Sequence, residues 1–269
     1  MIFGIISTFI FGTIIGSFLN VVILRFNTGR SVNGRSGCMS CGKKLGALDM
    51  IPILSWIALR GKCRNCKSKI SPQYPIVEFC TGILFALLFV SIKPLLIFPQ
   101  LAAISFTWNA IIFSILIVIF VYDLYHKIIP DSLSYTFAGL ALIQTVMTLP
   151  MGETLTTATT LDLFSGLILF TPFFLLWFVS RGKWIGLGDG KLALGIGWYL
   201  GFVAGLSAVI LAFWIGAIFA IALMLIERLE RRSGKITMKT EIPFGPFLIL
   251  AIWIQFFLHW DVLGISLFF

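Results

Sequence analysis

Two aspartates and four cysteines in this chain stand where their side chains could do chemistry. Asp189 lies in "WIGLGDGKLALGIGWYL", between glycines and just before an apolar run; Asp123 closes another apolar run in "VYDLYHKIIPD". Carboxylates at the edge of hydrocarbon are costly, which makes them candidates for function. The two are 66 residues apart, yet the apolar pattern puts both at the same depth, one at the end of a span and one before the start of another. If two such carboxyls approach, they cannot both ionise easily and one keeps its proton. The ionised partner can then take a proton from water while the neutral one donates to a carbonyl oxygen. That is peptide hydrolysis without a metal or a protein nucleophile. Gly186 and Gly188 suit such a turn, because a residue without a Cβ admits a substrate backbone or a neighbouring helix. Lys191 completes the turn. The plainer alternative is that each acid pairs with a nearby cation, Lys127 or Lys191.

The cysteines read C-x₂-C-x₂₁-C-x₂-C, as Cys38, Cys41, Cys63 and Cys66. Two such knuckles on one polar loop match the ligand spacing of a structural Zn²⁺ site. A loop of this size has too small a core to fold firmly alone, so a metal would help hold it. The competing reading is a pair of redox-active dithiols. Cys80, inside an apolar run, reads as an ordinary buried small side chain.

These residues need elements to position them. Of 269 residues, 59% are hydrophobic and 12% charged, with a mean hydropathy of +1.03. That charged fraction is about half of the roughly 25% usual in soluble proteins. The run Ile2–Leu24 has no basic segment ahead of it and reads as a retained first helix rather than a signal peptide. Seven more apolar stretches follow, near 76–97, 101–122, 133–149, 159–180, 191–204, 206–226 and 244–267. The fold class expected is an all-α polytopic integral membrane protein, with about eight transmembrane helices and a small tetracysteine (zinc-ribbon-like) loop domain. The domains expected are a first transmembrane helix at 1–24, the tetracysteine domain at 25–75 and a transmembrane domain at 76–269.

The net charge of +9 has a topological meaning. With eight spans, nineteen of the twenty basic residues fall in loops on one side, Lys93 being the exception. Basic loops stay cytoplasmic, so both termini face outward and the cysteine loop lies inside, where thiols stay reduced. A basic face suits anionic membrane lipid; no case for nucleic acid follows. The pattern sets no oligomeric state. Among weaker candidates, Asp131 follows a proline and reads as a helix N-cap. Glu78 suggests a salt bridge to the basic loop. His126 is placed to tune Asp123. "EIPFGPF" (241–247) is either a rigid entry turn or a substrate-facing segment.

Taken in order, "GSFLNVVILR", "DMIPILSW", "LRGKCRNC" with the four cysteines, "SPQYPIVE", the Asp123 segment, "GLGDGKL" and "PFGPF" resemble the type IV prepilin peptidases from about residue 12 to 250. The departures are small: the IPD aspartate follows Asp123 by eight positions, and Met39 stands where the family often has proline. The resemblance implies a bifunctional aspartic membrane protease of the bacterial inner membrane. Such an enzyme removes the basic leader of type IV prepilins, and of type II secretion pseudopilins, after a glycine at the cytoplasmic face. It then N-methylates the new N-terminal residue from S-adenosylmethionine. The family's catalytic aspartates fall on Asp123 and Asp189, and Gly61 matches a position tied to methyl transfer. No glycine-rich dinucleotide fingerprint appears in the loop, so S-adenosylmethionine rests here on resemblance alone.

Other readings make different demands. The presenilin and signal-peptide-peptidase group shares Tyr122–Asp123 and "GLGD", but carries a PAL motif that this chain lacks. A scaffold with a zinc-knuckle docking loop has no use for two acids at matched depth. A transporter places its acids near the midplane rather than at the edge.

Overall fold

The structure, a computed structural model, describes residues 1–29, 31, 34, 36–149, 156–229, 242–260, 262 and 264. Five of the basic residues counted above, and Glu241, fall in or next to 227–241, most of which lies outside the described residues. Each of the eight apolar stretches holds a helix: α1 (Ile2–Arg25), α3 (Gln73–Ser91), α4 (Pro99–His126), α5 (Asp131–Thr148), α6 (Thr157–Ser180), α7 (Leu187–Leu200), α8 (Phe202–Leu229) and α9 (Gly245–Leu258), with a short α2 (Leu54–Ala58) in the cysteine loop. Among the described residues there is no strand, only two isolated bridges. Five helices, α1, α3, α4, α6 and α8, are long and apolar enough to cross a membrane. The boundary expected at 204 falls earlier, because Gly201 turns the chain at φ +79° and the Asp162 carboxylate accepts the Phe202 amide at 2.8 Å, starting α8.

The chain forms two compact units, Met1–Val118 and Ile119–Phe269. In the first, α1 and α3 pack through glycines. A Cβ on Gly12 would stand 2.8 Å from Phe85 Cβ, and one on Gly16 would stand 2.8 Å from Glu78 Cα. Spaced four apart, these glycines let two backbones approach where lipid gives no hydrophobic drive between helices. Buried Asn20 ties α1 to the Tyr74 carbonyl. Cys80 is exposed on α3, not buried as expected, because the packed face of that helix runs instead through Val77, Thr81, Leu84 and Leu88.

In the second unit α7 packs against α5, α6, α8 and α9. Its 14 residues include glycines at 188, 190, 195 and 197. Gly197 lies over the Ser165 carbonyl of α6, and Gly195 lies against the Phe137 ring of α5. A helix this short and this rich in glycine is held by its neighbours rather than by its own propensity. Its function in the fold is to present its first turn.

Candidate active site and metal centre

That first turn carries Asp189 as its third helical residue, with Gly186 as the N-cap. The Gly186 amide faces the Asp189 carboxylate, the reach-back geometry of a capping box. The other acid, Asp123, sits in the last turn of α4, where the helix stops at the left-handed Lys127 (φ 54°). Asp123 is 3% exposed and Asp189 9%. Each lies within the other's electrostatic reach. Neither forms an ion pair among the described residues; Lys191 instead meets Asp131 at 2.7 Å and overlies the Tyr135 ring. Lys191 therefore braces the start of α7 against the start of α5.

Asp131 is the first residue of α5, with Pro130 in the cap position and no side-chain cap bond. The expected N-cap is thus corrected: proline occupies that position, and the carboxylate turns to Lys191. His126 packs on Tyr122, ring centroids 4.3 Å apart.

Two residues of this site were not singled out in the sequence. Ile129, buried between the helices, touches both glycines: a Cβ on Gly188 would stand 3.0 Å from Ile129 Cβ, and one on Gly245 would stand 3.0 Å from Ile129 Cδ1. Gly188 thus accommodates a protein side chain. Gly245 opens "GPF" at the start of α9, and its missing Cβ would stand 2.6 Å from Asp123 Oδ2. The Gly245 amide faces this carboxylate, yet Oδ2 is buried and closes no hydrogen bond among the described residues. An orphan buried acceptor of this kind calls for an explanation. The signal available in the sequence was the "PFGPF" segment.

The first unit holds the sulfur site. Each knuckle closes by the same bonds: the Cys38 amide donates to the Lys43 carbonyl and the Gly42 amide returns to Cys38, while the Cys63 amide donates to Ser68 and the Lys67 amide returns to Cys63. Gly42 and Lys67 hold matching left-handed conformations, φ 67° and 57°. The turns bring all four sulfurs within 4.8 Å of one another, and Cys38 and Cys66 to 3.8 Å. Four sulfurs at about 2.3 Å from a central tetrahedral Zn²⁺ lie about 3.8 Å apart, so the set fits that ion. Amides of Cys41 and then Ser40, helped by the Ser68 hydroxyl, bring the Cys38 thiol down to about 6. Asp49 clips the loop to Arg64 at 2.8 Å.

Beside the sulfurs lies a cavity of about 790 Å³, lined by Trp56, Tyr74, Cys38, Cys63 and Glu78 among others. Gly61 stands behind one wall. At φ 65° it suits glycine, and a Cβ there would meet Trp56 Cζ2 at 2.9 Å. Trp56 Nε1 donates to the Ile70 carbonyl. Glu78 is buried and accepts the Ile53 amide at 2.7 Å. Among the described residues the expected salt bridge to the basic loop is not formed; a backbone N–H and the Ser17 hydroxyl supply the partners.

A helical membrane protein with two buried carboxylates at helix ends, neither in an ion pair among the described residues, and a four-sulfur centre is the class defined so far. Comparison makes it particular. Residues 10–92 match the bacterial peptidase A24 N-terminal domain, and residues 110–221 match the type IV leader peptidase family. The chain is 30% identical to a prepilin leader peptidase/N-methyltransferase of Aeromonas salmonicida, over 91% of this chain and 88% of that one. It is 33% identical to a protein of the same description from Myxococcus xanthus, over 87% and 66%. A type 4 prepilin-like proteins leader peptide-processing enzyme of Escherichia coli is 30% identical over 89% and 88%. No solved structure matches the chain. The chain belongs to the type IV leader peptidase family, as the motifs led one to expect, and is a multi-pass membrane enzyme of prepilin processing.

Proposed function

We propose that the chain cleaves the basic leader of type IV prepilins, and of pseudopilins, after glycine, using Asp123 and Asp189 as an aspartic pair at the cytoplasmic face of the bacterial inner membrane. The observation that carries this reading is the pair itself: two buried acids in mutual electrostatic reach, neither neutralised by a cation among the described residues. Like charges this placed share a proton, and the proton belongs to the pair rather than to either member. The ionised member takes a proton from water as the water oxygen bonds to the scissile carbonyl carbon. The protonated member donates to the carbonyl oxygen. On collapse the C–N bond breaks and the proton held by the pair passes to the leaving amine. Asp123 Oδ2, which has no hydrogen-bond partner among the described residues and faces Gly245, is the acceptor left open for that exchange.

The substrate's leader lies in the cytoplasm and its apolar helix in the bilayer, so the scissile bond falls at the headgroup boundary. The acids end or begin helices at that depth. The basic loops orient them inward.

The new N-terminal amine is then methylated in the first unit. S-adenosylmethionine, when bound, supplies a methyl group on a sulfonium. The cavity beside the sulfur site has a volume in the range of small-molecule pockets, and its Trp56 and Tyr74 faces and buried Glu78 suit a cationic nucleoside. Cys38, Cys41, Cys63 and Cys66 hold Zn²⁺ and so fix the cavity wall. Gly61 acts through Trp56, whose ring it lets settle. The test is intact mass after incubating the purified enzyme with a prepilin and S-adenosylmethionine. Leader loss followed by one added methyl mass is expected, with leader loss abolished in Asp123→Asn and Asp189→Asn. Normal cleavage by Asp189→Asn would sink the two-carboxylate reading.

A further inference from the structure

Glu78 is the buried carboxylate of the cavity wall. It belongs to an apolar seam, where Gly16 of α1 lies against its Cα and where acids are expensive. The other acid lining the cavity, Asp49, is already paired with Arg64. Five cations, Arg25, Lys43, Lys44, Arg64 and Lys69, line the same space, yet none of them forms an ion pair with Glu78. Its partners are the Ile53 amide and the Ser17 hydroxyl, and the backbone at Ile53 is strained. Ile53 sits at φ 62°, ψ −54°, and the Leu54 amide donates to the Pro52 carbonyl at 2.6 Å. That is a γ-turn of the positive-φ kind, rare and costly, above all for a β-branched residue. Strain of this kind persists where surrounding structure fixes it, and it clusters at ligand sites. Here it delivers one N–H to one carboxylate, which has no cation beside it among the described residues.

The cavity thus combines the exposed cations Lys43, Lys44 and Lys69 with one buried acid and two aromatic faces, Trp56 and Tyr74. That pattern complements a zwitterion whose cationic centre lies against Glu78 and the rings. We propose that Glu78 is the counter-charge for an organic cation bound in this cavity. Two participants in methyl transfer present one: the sulfonium of the methyl donor and the α-ammonium of the trimmed substrate. The inference rests on the reading of the first unit as the methyl-transfer site and adds the residue that recognises the charge.

The test is calorimetric binding to the full-length, zinc-loaded enzyme in detergent. S-adenosylmethionine is compared with S-adenosylhomocysteine, which lacks only the sulfonium charge, and a short peptide with a free α-amine is compared with its N-acetylated form. In one of these pairs the cation binds about tenfold or more tightly than its counterpart. Glu78→Gln, which keeps an acceptor for the Ile53 amide, reduces that preference to within about threefold. A preference in the donor pair assigns Glu78 to the sulfonium, and one in the peptide pair assigns it to the amine. Zinc content reports whether the variant is folded, and the wild-type comparison decides the matter even if it is not. Equal binding of the two members in both pairs overturns the proposal, as does a zinc-replete Glu78→Gln that keeps the preference. Failure of all four ligands to bind instead removes the methyl-transfer reading of this unit, and the inference falls with it.

Discussion

Gly245→Ala tests the carboxylate pair without touching either acid. The added methyl would stand 2.6 Å from Asp123 Oδ2 and 3.0 Å from Ile129 Cδ1. A carbon–oxygen contact is comfortable from about 3.3 Å, so the carboxylate must retreat by about 0.7 Å, and Ile129 blocks one direction. A misplacement of about 1 Å costs on the order of 100-fold in rate; 0.7 Å predicts a loss of roughly 10- to 100-fold in kcat, or about 1.4–2.7 kcal/mol. One competing cause must be separated. Gly245 is helical and precedes Pro246, and a Cβ in that position clashes with the proline ring. The double variant Gly245→Ala/Pro246→Ala removes the ring and keeps the methyl. If contact with Asp123 is the cause, the double variant stays as slow as the single one; recovery would assign the loss to the pre-proline backbone. Gly139→Ala, where a Cβ meets nothing within 4 Å, serves as a control of unchanged activity. The assay is the initial rate of leader release, read by intact mass, beside a thermal melt. A Gly245→Ala enzyme within threefold of wild type would refute the placement of Asp123 Oδ2 in the reaction.

Gly61→Ala adds a left-handed alanine, costing about 1–2 kcal/mol, and drives a methyl into Trp56 at 2.9 Å. It is expected to weaken S-adenosylmethionine binding by about tenfold or more, measured by calorimetry; wild-type affinity would free Trp56 from any role. In metal-stripped protein the Cys38 thiol, brought from an ordinary 9.0 to about 6 by amides of Cys41 and Ser40, is expected to alkylate with a pH midpoint near 6 and to be protected by Zn²⁺. Being depressed, that group favours the folded loop fully above 9, and the benefit fades as pH falls through about 6; an alkylation midpoint near 9 would contradict the geometry. Asp131→Asn removes a pair whose carboxylate is 64% exposed, so stability should fall by less than about 1 kcal/mol, with cleavage within threefold of wild type. A loss of cleavage beyond that would place the Asp131–Lys191 brace in the reaction.

The helices, the sulfur cluster and the helix-end positions of the two acids were legible in the sequence because each depends on a local pattern. Runs of about 20 apolar residues announce spans, and C-x₂-C knuckles announce a metal turn whichever way the rest folds. Depth is a one-dimensional quantity, so matched ends of two runs could place Asp123 and Asp189 at one level. What the sequence did not yield was lateral: which side chain faces which across helices. Lys191, two residues from Asp189, was available to neutralise it and instead reaches Asp131. Glu78, near ten basic residues, takes a backbone amide. Charge proximity along the chain decides neither, since a helix turns neighbours by about 100° per residue.

Glycine is where this loss of information is greatest. The chain has 25 glycines, and composition gives each the same meaning, freedom of backbone. In the structure three of them share a more specific task. Gly245 lies against Asp123, Gly16 against Glu78 and Gly61 against Trp56, and in each case a Cβ would stand within 2.9 Å of the facing residue. Only Gly61 of the three has a positive φ, so conformational freedom does not explain the other two. They are apertures: each removes one carbon so that a chemistry-bearing residue can come close to a backbone. At Gly245 and Gly16 an alanine keeps the helix and shifts the facing group. Activity should therefore be more sensitive than stability at Gly245, while at Gly12, whose nearest facing atoms belong to Phe85 and the α3 backbone, the order should reverse.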